Sequence, residues 1–211
     1  MMRKIALLSS MLFLNSVAAE TIDVAYSRFY SHVKKLDNED TQALQFAFGF
    51  LRVGEGRLCA IESADIVTDK KTMALSVTDE GRFTVPLERA LKLADAYVQI
   101  SLEERANVCD MSVQLETQPT YLKASYTKEE LQFLYDQYEA FFNEMGSFLS
   151  FMMPSVTGLM IQFEDKDLDY RTQEGLSIVK GVLRIEESWL KKGETLTLPH
   201  PPLRITAIAS S

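Results

Sequence analysis

Two cysteines constrain this chain more than any other feature of it. Cys59 lies in "GRLCAIESADIV", just after a Gly54-Glu55-Gly56 turn, and Cys109 lies in "NVCDMSVQL". There is no third cysteine. Joined, they would close a loop of about fifty residues, which the chain-entropy treatment rates at roughly 4 kcal/mol. That is comparable with the whole net stability of a small domain. Whether they join depends on the compartment, because disulfides persist in oxidising surroundings and not in the cytosol.

The N-terminus bears on the compartment. Met1-Met2-Arg3-Lys4 is short and basic, Ile5 to Leu14 is an apolar run of ten residues, and Val17-Ala18-Ala19 are small. This is the pattern of a cleavable secretory signal over residues 1–19. Ten residues at a rise of 1.5 Å cover about 15 Å, roughly half a bilayer core, so an uncleaved transmembrane anchor is not expected. No cysteine flanks the cleavage point, so nothing indicates a lipid anchor. The expectation is a periplasmic protein with a structural Cys59–Cys109 disulfide. A reactive thiol and two buried unpaired thiols are the other readings, and the absence of C-x-x-C removes support for a thioredoxin-like role.

The mature chain, 20–211, is long enough for one α+β domain or for two small lobes, 20–117 and 126–211. Pro119 marks the connection between them. Loss of Arg3 and Lys4 takes the formal net charge from −8 to −10. Such a chain lacks the basic footprint of a nucleic-acid binder and is repelled by anionic lipid.

Hydrophobic spacing gives the elements. Tyr26, Phe29, Tyr30, Val33 and Leu36 recur at helical steps, which predicts an amphipathic helix over Ile22 to Leu36. "ALQFAFGFLRVG" alternates with a period of two and is apolar on both faces, as a central strand is. Leu58 to Val67, "KTMALSV", "RFTVP", "DAYVQIS" and "VCDMSVQLE" read as further short strands, with a helical turn within Leu87 to Leu93. Thr127-Lys128-Glu129-Glu130 is a capping box. It opens a stripe through Leu131, Leu134, Tyr138, Phe141, Met145, Phe148 and Met152 that predicts a helix of about 25 residues ending before Pro154. "TGLMIQF", "VLRIEESWL", "ETLTLP" and "LRITAIA" complete the strands. "RFTVPL" and "TLTLPH" both set alternating apolar residues against a proline, which raises an internal repeat without establishing one.

Catalytic signatures are sparse. Gly54-x-Gly56 leads into a strand and lacks a third glycine, so it reads as a hairpin turn. Neither G-x-S-x-G nor H-E-x-x-H occurs, and His32 and His200 are the only histidines. Asp165, Asp167 and Asp169 have the opening spacing of a calcium loop, but Tyr170 stands where glycine belongs and Leu176 where the bidentate glutamate belongs. A solvated loop is the expectation there, and no metal or cofactor is assigned. The "FLSFMM" end of the long helix, with Phe148, Phe151, Met152 and Met153, is the weak candidate for a partner-binding patch.

Taken together, "YSRFY", "GRLCAI", "VPLERALKLADAYV", "CDMSVQ" and "LTLPHPPLRITAI" resemble a family of exported bacterial proteins known only as a domain of unknown function. The resemblance covers essentially all of the mature chain. It implies an envelope location and brings no activity, substrate or site.

The expected fold is therefore α+β: antiparallel, sandwich-like strands, two amphipathic helices and one intrachain disulfide. The expected function is a soluble periplasmic module that binds and does not catalyse. Its partner would be an envelope protein, or a second copy met through the long helix. The alternative is a periplasmic hydrolase working with carboxylates in a cleft between the lobes.

Overall fold

The computed structural model describes residues 20–145 and 155–210. In the first half the elements are β1 (Glu20–Ala25), α1 (Tyr26–Val33), β2 (Leu44–Arg52), β3 (Ile61–Val67) and β4 (Thr72–Leu75), then α2 (Arg89–Leu93), β5 (Tyr97–Leu102) and β6 (Cys109–Thr117). The second half runs β7 (Ser125–Tyr126), α3 (Lys128–Met145), β8 (Val156–Gln162), β9 (Tyr170–Arg171), β10 (Ser177–Ile178), β11 (Val182–Glu186), α4 (Glu187–Leu190), β12 (Leu196–Thr197) and β13 (Arg204–Ala209). Every strand pairing among the described residues is antiparallel, so the α+β expectation holds. Among those residues, no helix is long and apolar enough to cross a membrane.

The expected central strand is central. β2 pairs along its whole length with β6, and on its other edge exchanges Phe48–Phe83 backbone hydrogen bonds of 2.8 and 2.9 Å. Phe46, Phe48 and Phe50 project from one face, and Phe48 meets Phe29 of α1 edge-on at 4.9 Å. Phe46 also meets Phe141 of α3 at 5.8 Å, so one aromatic row receives a helix from each half. Such edge-on pairs add about 0.5–1.5 kcal/mol beyond the area they bury.

Two boundaries differ from expectation. The N-terminal helix begins at Tyr26, not Ile22, because Glu20 to Ala25 pairs with β5 across six residues and the ladder outweighs the helical spacing of Ile22. The Cys59 strand begins at Ile61; Leu58 only bridges Leu51, and the Cys59 amide donates to Phe50 O at 2.7 Å. The long helix is described as far as Met145, its expected end before Pro154 lying outside the described residues, with Leu131, Leu134, Tyr138 and Phe141 buried as its spacing required. Its capping box is formed both ways, Thr127 N to Glu130 Oε2 at 3.0 Å and Glu130 N to Thr127 Oγ1 at 3.3 Å.

The two halves repeat one topology. In each, a short strand enters a helix, a central strand follows, a two-stranded excursion intervenes, and a segment bridged or paired to the central strand then precedes a short helix: Phe83 on Phe48 before α2, and β11 on β8 before α4. The strand after that helix returns to pair with the entering strand: β5 with β1, and β12 with β7. The last strand flanks the central one: β6 on β2, and β13 on β8. The structural counterpart of "RFTVPL" is accordingly "VLRIEE" at β11, not "TLTLPH" as the proline alignment implied.

The halves meet where their equivalent last strands, β6 and β13, lie side by side. Tyr138, fully buried on α3, spans this seam: its hydroxyl donates to Ile205 O on β13 at 2.6 Å and lies 3.0 Å from Thr117 Oγ1 on β6. Tyr138→Phe leaves Thr117 without that partner, and we expect a loss of about 1–3 kcal/mol in denaturant unfolding at unchanged m-value. A loss below about 0.5 kcal/mol would remove Tyr138 from the list of seam contacts.

Candidate functional site

Cys59 and Cys109 form the disulfide expected of them, with Cα atoms 6.4 Å apart. Glu104 is the third member of the one cluster of potential metal ligands found among the described residues, but its two companions are the sulfurs of that bond. The bond closes the near end of the sheet, where Cys59 O faces Gly81. Gly81 has φ +73°, and a Cβ there would lie 2.8 Å from that oxygen. A Cβ on Gly49 would in turn lie 2.9 Å from Gly81 O. These close approaches fix the turn Thr78 to Arg82, whose hydrogen bonds run Gly81 N to Thr78 O at 2.8 Å and Thr78 N to Arg82 O at 2.7 Å.

That turn delivers Glu80 and Arg82 to the seam. On β6, Gln114 and Glu116 share one face at a spacing of two, and Gln45 of β2 sits opposite Glu116 in the register. Arg204 enters from β13 and is buried, 7% exposed. Its guanidinium pairs with Glu80, donates from Nη1 to Gln114 Oε1 at 3.0 Å, and stands 3.7 Å from Glu116 Oε2. Gln45 Nε2 donates to Glu116 Oε1 at 3.0 Å.

Donors remain that this network does not use. Arg82 Nε and Nη1 and Arg204 Nε are buried and have no partner among the described residues, and neither has the hydroxyl of Thr206, two positions beyond Arg204. Buried polar hydrogens are normally satisfied, and leaving one unmet costs on the order of 1–3 kcal/mol, more when charged. The residues that carry them border two chambers, from which these atoms themselves are covered. One chamber of about 230 Å³ is lined by Gln45, Glu80, Arg82, Glu116, Leu203 and Arg204 among others. A second, about 360 Å³, is lined by Val113, Leu115, Phe142, Thr206 and Ala207, and Arg82 lines both.

Burial dominates the electrostatics. It pushes the Glu116 carboxyl up, against the Gln45 hydrogen bond and the Arg82 charge, and it lowers the affinity of Arg82 and Arg204 for their protons. Guanidinium groups nonetheless stay charged in proteins.

The remaining sequence candidates do not join this site. Asp165 and Asp169 accept backbone amides of their own loop region, from Asp167 at 2.8 Å and Lys180 at 2.8 Å. Phe148, Phe151, Met152 and Met153 lie outside the described residues. Sequence reading missed Glu80, Arg82, Gln114, Glu116, Arg204 and Thr206. Gln114, Glu116, Arg204 and Thr206 showed only polar residues alternating within strands, which is also the signature of a solvent-facing side, and Glu80 and Arg82 showed only a turn.

The sign of the Glu116 shift gives a pH test. A carboxyl raised in the fold holds its proton more tightly than in the unfolded chain. Its contribution to stability is complete below the ordinary value of 4.5 and is lost as pH rises through the raised value. Glu116→Gln removes that loss, so the variant's melting temperature should gain on wild type as pH rises from about 4.5. Wild type gaining on the variant would show that Arg82 and Arg204 outweigh burial.

Comparison with known proteins found no matching curated protein and no matching solved structure. A family model described as a protein of unknown function (DUF2987) matches residues 18–163. The matched stretch contains both cysteines, Glu80, Arg82, Glu116 and Tyr138. Arg204, Thr206 and the closing "LTLPHPPLRITAI" lie beyond it. With well over half of its length matched, the chain belongs to this family of proteins of unknown function.

Proposed function

We propose that this is an exported, periplasmic binding protein that does not catalyse, and that its ligand site is the polar seam between the two halves. The observation that carries the reading is Arg82: a guanidinium with two buried N–H groups lacking any partner among the described residues, lining both seam chambers. Side chains carrying unpartnered polar groups border both chambers, and the chamber of about 360 Å³ is within the usual size of small-molecule sites. The location supports it too, since pockets favour the junctions between structural units.

The seam also bears on the hydrolase alternative, because Glu80 and Glu116 do lie together in an open cleft. Both are engaged by Arg204, and Glu116 additionally by Gln45. That is an ion-pair network, whereas a carboxylate hydrolase needs one acid free to donate and one base free to accept. The disulfide and the absence of a membrane-spanning helix among the described residues fit an exported protein.

Equilibrium dialysis of the mature protein against a small-molecule extract of the cell envelope tests the proposal. We expect wild type to concentrate at least one compound that Arg82→Gln does not. Identical retention by the two proteins overturns it.

A further inference from the structure

A third recess lies apart from the seam, between the 118–126 connection and the first two turns of α3. It encloses about 250 Å³ and shares no lining residue with either seam chamber. Tyr121, Tyr126, Phe133 and Leu134 make a predominantly apolar wall, which Lys123, Glu129 and Glu130 complete. The half-buried rings of Tyr121 and Phe133 stand 5.8 Å apart at a tilt of 34°. The Tyr126 hydroxyl pins the connection, accepting from Lys123 N at 2.7 Å and donating to Tyr121 O at 3.2 Å. The charges do not cancel. Lys123 Nζ pairs with Glu130 Oε1 at 2.6 Å, and the other Glu130 oxygen accepts from Thr127 N at 3.0 Å. Glu129 is exposed, and its carboxylate has no ion-pair partner among the described residues. The positive end of α3 is met by these two first-turn acids and by the Thr127 cap on Glu130 N.

We propose that this recess takes a small quaternary ammonium, its methylated head against Tyr121, Phe133 and Leu134 and its charge answered by Glu129. Aromatic faces attract a cation, most strongly one that has left water. A primary ammonium brings three N–H donors that need acceptors, and the wall has few to spare, since Tyr126 and Glu130 are already engaged. A fully alkylated ammonium brings no donor, and its methyl groups gain by burial against the rings and Leu134. An anion would meet two carboxylates and one ammonium that is already paired. At about 250 Å³ the recess falls below the roughly 300–1,000 Å³ of drug-sized sites, which suits a head group of a few heavy atoms. This site is separate from the seam and does not depend on Arg82.

NMR titration of the mature protein with choline, 3,3-dimethylbutan-1-ol and ethanolamine, followed at the backbone amides, tests this. The alcohol keeps the shape of choline without its charge, and ethanolamine keeps the charge without the methyl groups. Choline should shift the amides of 121–134 saturably, with both analogues at least about fivefold weaker, the scale of one cation–ring contact. Phe133→Leu keeps an apolar side chain and should weaken choline by roughly three- to tenfold, and the alcohol by less. Glu129→Gln changes an exposed side chain and carries the test if Phe133→Leu fails to fold. It should weaken choline by about two- to fivefold at low salt, and by less as salt rises. The proposal is overturned if either analogue binds as tightly as choline, or if none of the three shifts these amides. Choline indifferent to Glu129→Gln at low salt, or to a folded Phe133→Leu, overturns it as well. So do choline shifts confined to the seam strands, at 112–116 and 204–207.

Discussion

A buried positive charge must be answered, and that of Arg204 sets how the two halves of this molecule face one another. Its guanidinium leaves β13 and reaches Glu80 in a turn of the first half, and Gln114 and Glu116 on β6. Taking one partner from a buried ion pair costs on the order of 3–5 kcal/mol, so a register that misplaced these groups would be strongly disfavoured. The strand on which they converge is itself pinned. The disulfide holds β6 at Cys109, β2 pairs with it throughout, and Tyr138 touches its end at Thr117.

The repeated topology explains why such a place exists. Each half builds a central strand flanked by its own last strand, and the two last strands meet. Apolar residues dominate the faces turned toward the helices, as in Phe46, Phe48 and Phe50 of β2. The faces turned toward the seam carry Gln45, Gln114, Glu116 and Arg204. Duplicating a half gives a junction, and the side chains along it decide whether the junction closes as core or stays open as a pocket. Along this junction two chambers remain, both bordered by Arg82.

Much of this was legible in the residues, for reasons that can be named. Thr127 and Glu130 announce α3 because a capping box is local chemistry, and the burial of Leu131, Leu134, Tyr138 and Phe141 follows from 3.6-residue spacing alone. The Cys59–Cys109 bond was legible because a leader-like N-terminus pointed to export, and an oxidising compartment would leave two sulfurs few alternatives. β1 was not, because six residues of pairing with β5 override a helical pattern that really begins at Tyr26. The seam was hidden for a different reason. Alternating polar residues such as Gln114 and Glu116 look the same in sequence whether they face water or the other half of the chain. Arg204 gives no sign of burial at all, since its partners lie about 90 to 125 positions away.

On this reading Arg82 is kept for a ligand and not for the fold. Arg82 is half-buried, and its covered Nε and Nη1 have no partner among the described residues, a cost to folding that an apolar side chain of similar length should relieve. The direct measurement is the unfolding free energy of Arg82→Met in the absence of any ligand. The account predicts a protein as stable as wild type, or more stable by up to about 2 kcal/mol. A loss of 2 kcal/mol or more would contradict it and make Arg82 part of the scaffold.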